Sequence, residues 1–127
     1  MPQRRCPCGT GLPYEECCGP LHAGTSVAGT AEQLMRSRYS AFAVGNAGYL
    51  RETWHPTTRP GTLDLDGDVR WTRLEVLDTS GGSLLAADGT VEFRAHYVVA
   101  GRDGAQHERS RFVREGGRWR YLDGVSL

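Results

Sequence analysis

Hydrophobic positions change their period along the chain. From Thr30 they recur with helical spacing. Ala31, Leu34, Met35, Tyr39 and Phe42 form one apolar stripe, with polar residues between them. Thr30-Ala31-Glu32-Gln33 is capping-box sequence, in which the Thr30 hydroxyl and the Gln33 amide satisfy N–H groups at the helix start. Gly45-Asn46 ends this helix. Residues 47–53 carry Tyr49 and Leu50 and predict a second, shorter helix, stopped by Pro56.

Residues 56–68 are loop-like, with Pro56, Pro60, Gly61, Gly67 and Asp64, Asp66 and Asp68. Beyond them the period becomes two. Residues 69–78 predict a strand, Ser80-Gly81-Gly82 a turn, and residues 83–87 a short strand. Val91, Phe93, Ala95, Tyr97 and Val99 then alternate with Glu92, Arg94 and His96, which makes one apolar and one polar sheet face. Gly101-Arg102-Asp103-Gly104 predicts a turn, residues 106–114 a strand, Glu115-Gly116-Gly117 a hairpin turn, and residues 118–122 the last strand. The outline is α+β: helices packed on one face of a curved, mostly antiparallel sheet.

Composition changes this picture at the N-terminal end. The 127 residues include four Cys, all in the first 25 residues, at positions 6, 8, 17 and 18. That segment is rich in Gly and Pro and lacks periodicity, so a small module over residues 1–25 is expected ahead of a domain over residues 26–127. Three Trp, five Tyr, three Phe and a hydrophobic fraction of 39% supply one core. All 15 basic residues are Arg, balanced by 15 Asp+Glu to a formal charge of zero. The absence of Lys excludes Schiff-base and P-loop chemistry, and the zero charge argues against a strongly basic nucleic-acid binder. Apolar runs as short as Leu84-Leu85-Ala86-Ala87 exclude a membrane-spanning helix. The polar start, Met1-Pro2-Gln3-Arg4-Arg5, lacks a leader's apolar core, which predicts a cytoplasmic protein.

The cysteines are the main chemical signal. Cys6-Pro7-Cys8-Gly9-Thr10-Gly11-Leu12-Pro13-Tyr14-Glu15-Glu16-Cys17-Cys18-Gly19 offers four thiols to one tetrahedral Zn²⁺. Metal–thiolate bonds would replace the core that so short a segment cannot build. With four thiolates the site is closed, leaving no position for a catalytic water. One structural Zn²⁺ per chain is therefore expected. Two disulfides, a redox-active thiol set and an iron–sulfur site are the competing uses of these thiols. His22, four residues after Cys18, is the alternative fourth ligand.

Cys-Pro-Cys-Gly-Thr-Gly-x-x-Tyr-x-x-Cys-Cys resembles the SEC-C zinc motif, found at the C-terminus of the SecA translocation ATPase and in many small bacterial proteins. Gly19-Pro20-Leu21-His22, the helix through Glu32-Gln33-Leu34-Met35-Arg36-Ser37-Arg38-Tyr39 and Tyr49-Leu50-x-x-Thr53-Trp54-His55-Pro56 resemble the YchJ-type family of uncharacterised bacterial proteins. So do Glu108-Arg109-Ser110-Arg111-Phe112 and Gly117-Arg118-Trp119-Arg120-Tyr121-Leu122-Asp123-Gly124. The resemblance implies a nuclear-transport-factor-2-like (NTF2-like) α+β cone for residues 26–127. The SecA likeness implies that the zinc module docks a protein or a ribosome.

Such cones enclose a cavity between helix and sheet. In the strand over residues 106–114, Glu108 and Ser110 share a face with Phe112 and are expected inside, with Glu108 as the candidate base and Arg38 as its partner. Trp54 and His55 are expected at the mouth. No nucleophile–base spacing or phosphate loop stands out, so no catalytic residue is assigned and an adaptor is favoured over an enzyme. A small-molecule enzyme or ligand-binding protein built around Glu108 is the alternative, and a homodimer through the cone is a further expectation. Arg109, Arg111, Arg114, Arg118 and Arg120 form a local basic excess that would suit phosphate or nucleic acid if they lined one sheet face. An ordinary solvated outer face is the simpler account of it.

Overall fold

The computed structural model describes residues 4–65 and 67–127. Met1-Pro2-Gln3 of the polar start, and Asp66 of the Asp-rich loop, lie outside the described residues. Three helices, α1 (Gly19–Ala23), α2 (Ala31–Val44) and α3 (Ala47–Glu52), precede four strands. The strands are β1 (Val69–Gly81), β2 (Asp88–Val99), β3 (Arg102–Glu115) and β4 (Arg118–Ser126). They pair in the order β1-β2-β3-β4, every neighbour antiparallel. The fold is an α+β cone: helices on the concave face of one curved sheet, with the cysteine segment at its N-terminal end. Register shifts interrupt β1 twice and the β3–β4 pairing once, and such bulges add the twist that curls a sheet.

Helix α2 begins where its capping sequence predicts. The Gln33 backbone N–H donates to Thr30 Oγ1 at 3.0 Å, and the Gln33 side-chain oxygen accepts from the Gly29 N–H at 2.7 Å. The return bond therefore reaches one residue further back than in the usual box. From Leu34 to Ala41 this helix is buried on most of its circumference, including Ser37, Arg38 and Ser40. Three bodies cover it: the sheet, α3, and the cysteine segment. Asn46 caps α3 by accepting from the Tyr49 N–H at 3.0 Å.

Five local expectations change, the first being that β1 runs to Gly81 through the turn expected at Ser80-Gly81-Gly82. Helix α1 forms in a segment without periodicity, because Pro20 sits at its first turn and Gly24 closes it in the left-handed conformation. Residues 83–87 are a loop rather than a strand, with Leu84 and Leu85 exposed. The loop is held by Arg114, which donates to the Leu84 carbonyl, and by the Ala31 N–H on the Gly82 carbonyl at 3.0 Å. The turn expected over 101–104 is shorter, so β3 starts at Arg102. Both β2–β3 and β3–β4 close through two residues with positive φ, Ala100 (51°) and Gly101 (75°), then Gly116 (59°) and Gly117 (78°). Such pairs match the right-handed strand twist and let the ladders run to the turn. Finally, β4 extends to Ser126.

The core is continuous from the cysteines to the sheet. Cys6, Cys8 and Cys18 are buried in one cluster with Leu34, Met35, Tyr39, Leu74, Val91, Phe93 and Phe112. A second cluster joins Leu21 to Ala41, Tyr49 and Leu50. Among the described residues, no helix is long and apolar enough to cross a membrane.

Candidate metal centre and cone cavity

The cysteine segment folds back on itself. The Cys6 N–H donates to the Leu12 carbonyl at 2.8 Å and the Tyr14 N–H to the Arg4 carbonyl at 2.9 Å. Between them Gly9 (φ 90°) and Gly11 (φ 87°) take left-handed conformations, which residues with a Cβ rarely adopt. This loop, with the 3-10 turn Tyr14–Glu16, brings all four Cys Sγ atoms within 4.8 Å of one another. The Cys8–Cys17 and Cys17–Cys18 sulfurs stand 3.5 and 4.0 Å apart. Zinc–sulfur bonds of about 2.3 Å in a tetrahedron put sulfurs roughly 3.8 Å apart, so the donor set fits that geometry. No disulfide forms; all four are free thiols.

The surroundings suit thiolates. Ser40 Oγ lies 3.3 Å from Cys6 Sγ and Thr10 Oγ1 lies 3.1 Å from Cys17 Sγ, so both hydroxyls can donate to an ionised sulfur. Arg36 Nη1 donates to the Cys8 carbonyl at 2.8 Å, which places a cation beside the loop. A hydrogen bond from Cys18 lowers the Cys8 thiol to about 4, and the same bond pushes Cys18 up. Burial pushes Cys17 up to about 11. Crowded thiols without a cation thus cannot all ionise together, whereas a divalent ion among them supplies the missing charge.

His22 stands apart from this set. Its Nε2 donates to the Ser37 carbonyl at 2.8 Å, which leaves Nδ1 to accept from the Tyr14 hydroxyl at 2.6 Å. With both nitrogens committed, His22 ties α1 to α2, and Cys18 supplies the fourth sulfur of the cluster.

The second candidate site is a cavity of about 210 Å³ between α2 and the concave sheet face. Met35, Arg38, Tyr39 and Phe42 line it from α2, Trp71, Phe93, Ala95 and Tyr121 from the sheet, and Trp54 from the segment after α3. Gln106, Glu108 and Ser110 supply further polar groups. Glu108 accepts from Ser110 Oγ at 2.7 Å and from Gln106 Nε2 at 3.2 Å. Its carboxyl lies over Gly124 on β4, where a Cβ would come within 2.8 Å of it. A side chain at 124 would push Glu108 out of its place.

Arg38 is not the ion-pair partner expected for Glu108. Its Nη1 donates to the Leu50 carbonyl at 2.8 Å and to Thr53 Oγ1 at 2.7 Å, because α3 packs its C-terminal carbonyls against that side of α2. Its Cζ lies 4.5 Å from the Tyr121 ring centroid and 5.2 Å from that of Trp54. Burial lowers the guanidinium to about 10, so it stays cationic at neutral pH. Burial also pushes the Tyr39 and Tyr121 hydroxyls up to about 12. The Trp54 Nε1–H is buried without an acceptor, the one such side-chain group among the described residues.

His55 does not line the cavity. The His55 N–H donates to the Tyr121 carbonyl at 2.7 Å, and this bond to β4 turns the ring outward to Thr57 and Glu115, with Nε2 3.0 Å from Glu115 Oε1. His96, on the polar face of β2, is half-buried against Glu75. The basic stripe is largely matched by acceptors: Arg109 pairs with Glu92, Arg111 with Asp123, and Arg114 and Arg120 donate to the Leu84 and Glu52 carbonyls. Cross-strand carboxylates thus answer the local excess of Arg. Sequence reasoning missed Ser40, Thr53 and Gln106, whose roles arise only when the cysteine loop, α3 and β3 converge on α2.

A four-thiol cluster with three of its cysteines buried in the core of an α+β cone defines a class of small SEC-C proteins. The SEC-C motif matches residues 5–20, and the YchJ middle NTF2-like domain matches residues 30–124. The chain belongs to the YchJ-type, UPF0225 family. It is 58% identical to a UPF0225 protein of Streptomyces coelicolor over 100% of this chain and 99% of that one. A UPF0225 protein of Corynebacterium glutamicum is 51% identical over 95% of this chain and 96% of its own. Among solved structures, a SEC-C motif containing protein from Rhodopseudomonas palustris superposes with a TM-score of 0.85 at 37% identity, covering 98% of this chain and 99% of that one. A SEC-C motif containing protein from Psychrobacter arcticus gives 0.79 at 31%, covering 98% and 83%.

Proposed function

We propose that the chain is a cytoplasmic zinc-binding adaptor. Residues 1–25 form a module closed by one Zn²⁺ on Cys6, Cys8, Cys17 and Cys18, and residues 26–127 form the cone that carries it. The observation behind this reading is the convergence of four sulfurs within 4.8 Å, with hydroxyl groups in place for thiolates. Four protein thiolates fill the tetrahedron, so the ion is structural: it holds a docking surface in shape. Unpaired thiols suit the reducing cytoplasm. On the outside, Arg4, Arg5, Leu12, Glu15 and Glu16 are exposed, a mixed surface suited to a protein or ribosomal partner. Affinity capture and ribosome co-sedimentation test the role, with wild type against Cys6→Ser/Cys8→Ser. A partner retained by the wild type and lost by the variant supports docking; equal retention by both contradicts a zinc-dependent surface.

A second reading, ligand binding in the cone, is favoured by the open cavity of about 210 Å³ and by a Glu108 held by Ser110 and Gln106 rather than by an ion pair with Arg38.

A further inference from the structure

The wall of the cone cavity carries one cation and one carboxylate, each anchored to partners of its own. Arg38 is buried, and its Nη1 is held by Leu50 O and Thr53 Oγ1. Glu108 borders the same space, where its Oε2 accepts from Ser110 Oγ and its Oε1 from Gln106 Nε2. A carboxylate oxygen has two lone pairs, so each oxygen of Glu108 keeps one acceptor position free of these bonds. An ion entering here gives up its hydration and meets a charge of each sign, so attraction to one wall is offset by repulsion from the other. An uncharged ligand escapes that cost. The rest of the wall is apolar and aromatic. Trp71 stands with its ring centroid 6.1 Å from that of Tyr39 at 74° and 5.9 Å from that of Phe42 at 53°. Met35 and Phe93 also border the space. Aromatic walls favour another ring, packed edge-to-face or offset.

We propose that this cavity binds a small uncharged aromatic ligand bearing a neutral N–H donor, of the carboxamide type. The ring packs against the aromatic wall and the N–H donates to Glu108. The proposal rests on the ligand-binding reading and adds its chemical class. A neutral N–H on a carboxylate makes a charge-assisted hydrogen bond, stronger than one between neutral groups, and it leaves the charge balance of the wall as it is. An anion of the same shape faces Glu108, and a cation faces Arg38. The acceptor is held in place by a residue on β4: a Cβ at Gly124 would come within 2.8 Å of the Glu108 carboxyl. Size agrees with the assignment, since a cavity of about 150 Å³ takes benzene. The cavity here, about 210 Å³, leaves room for an amide group on the ring.

The test titrates the full chain with benzamide, acetophenone, benzoate and benzamidine at millimolar concentration and neutral pH. These probes share one ring and one shape. In turn they carry a neutral N–H donor, no donor, a negative charge and a positive charge. The readout is methionine ¹³C-methyl NMR: the chain has two Met, Met35 borders the cavity, and its signal is identified by its loss in Met35→Leu. Benzamide is expected to shift that signal saturably, to bind about tenfold more tightly than acetophenone, and to bind more tightly than either ion. Glu108→Gln is expected to weaken benzamide about tenfold and to leave acetophenone unchanged. The same variant leaves Arg38 without its counterweight, so benzoate is expected to bind more tightly than it does to the wild type. Gly124→Ala, which displaces Glu108, is expected to weaken benzamide and not acetophenone. If Glu108→Gln fails to fold, Gly124→Ala and the ranking on the wild type still decide. Equal or tighter binding of acetophenone overturns the hydrogen bond to Glu108, and tighter binding of benzoate or benzamidine overturns the uncharged class. Either result leaves a ligand site standing. No response of Met35 to any of the four probes overturns the ligand-binding reading as well.

Discussion

Ser40 shows how a single hydroxyl joins the two parts of the chain. It is fully buried on α2, and its oxygen lies 3.3 Å from Cys6 Sγ. Groups that donate to metal-bound sulfur orient the ligand and stabilise its charge, and losing one commonly lowers metal affinity about 10–100-fold. Ser40→Ala is therefore expected to weaken zinc binding by roughly tenfold or more, measured by competition against a chromophoric chelator. Unchanged affinity would remove Ser40 from the site. Cys17→Ser replaces one thiolate with a poor ligand, so metal content after dialysis should fall well below that of the wild type. The four cysteines were legible in the sequence because a metal cluster needs particular atoms at close spacing. Ser40 was not, since a serine on a helix carries no signal until the cysteine loop lies against it. Glu108 and Ser110 were placed inward by alternation with Phe112. The true partners of Arg38 depend on how α3 docks, which no local pattern reveals.

Among the elements, α2 carries the most of the fold. Its N-cap oxygen comes from Thr30, and Thr30→Ala is expected to cost about 1 kcal/mol, read as a fall of a few degrees in Tm. Leu34, fully buried between sheet and cysteine loop, is expected to cost about 2–5 kcal/mol on truncation to Ala, by chemical denaturation. The outer sheet face behaves differently. His107 and Arg109 hold the Glu92 carboxyl below its ordinary range, and Arg111 does the same for Asp123. Because these folded values lie below the unfolded ones, their contribution is present above the ordinary carboxylate range. It is lost as pH falls through the depressed values. Both groups are half-buried on the outer sheet face and within reach of solvent, so the contribution is small and salt-sensitive. Glu92→Gln/Asp123→Asn should flatten the acid limb of the denaturation midpoint plotted against pH, and an unaltered limb contradicts the pairing. Helix α2 and the alternating face of β2 were legible from period alone. Residues 83–87 were not, because a run of Leu and Ala satisfies a strand pattern and a stapled loop equally.

At the scale of the whole molecule, the cysteine loop and the cone share one core: Cys6, Cys8 and Cys18 pack with Leu34, Met35, Tyr39 and Phe112. A metal held by these cysteines would thereby stabilise the whole chain, since an ion that binds only the folded state adds its binding free energy to folding. Chelation is expected to lower Tm and to speed amide exchange in α2 as well as in the cysteine loop. Exchange confined to the loop would mean that the two parts fold independently. The α+β class was legible from the change of period, whereas this coupling was not. It arises from contacts between segments that no periodicity relates. The central claim is that four thiolates of this chain enclose one zinc ion, and zinc K-edge X-ray absorption of the purified protein tests it most directly. The account predicts a first shell of four sulfurs at about 2.3 Å with no lighter ligand. A shell containing nitrogen or oxygen, or protein purified without metal and unable to take up zinc, would contradict it.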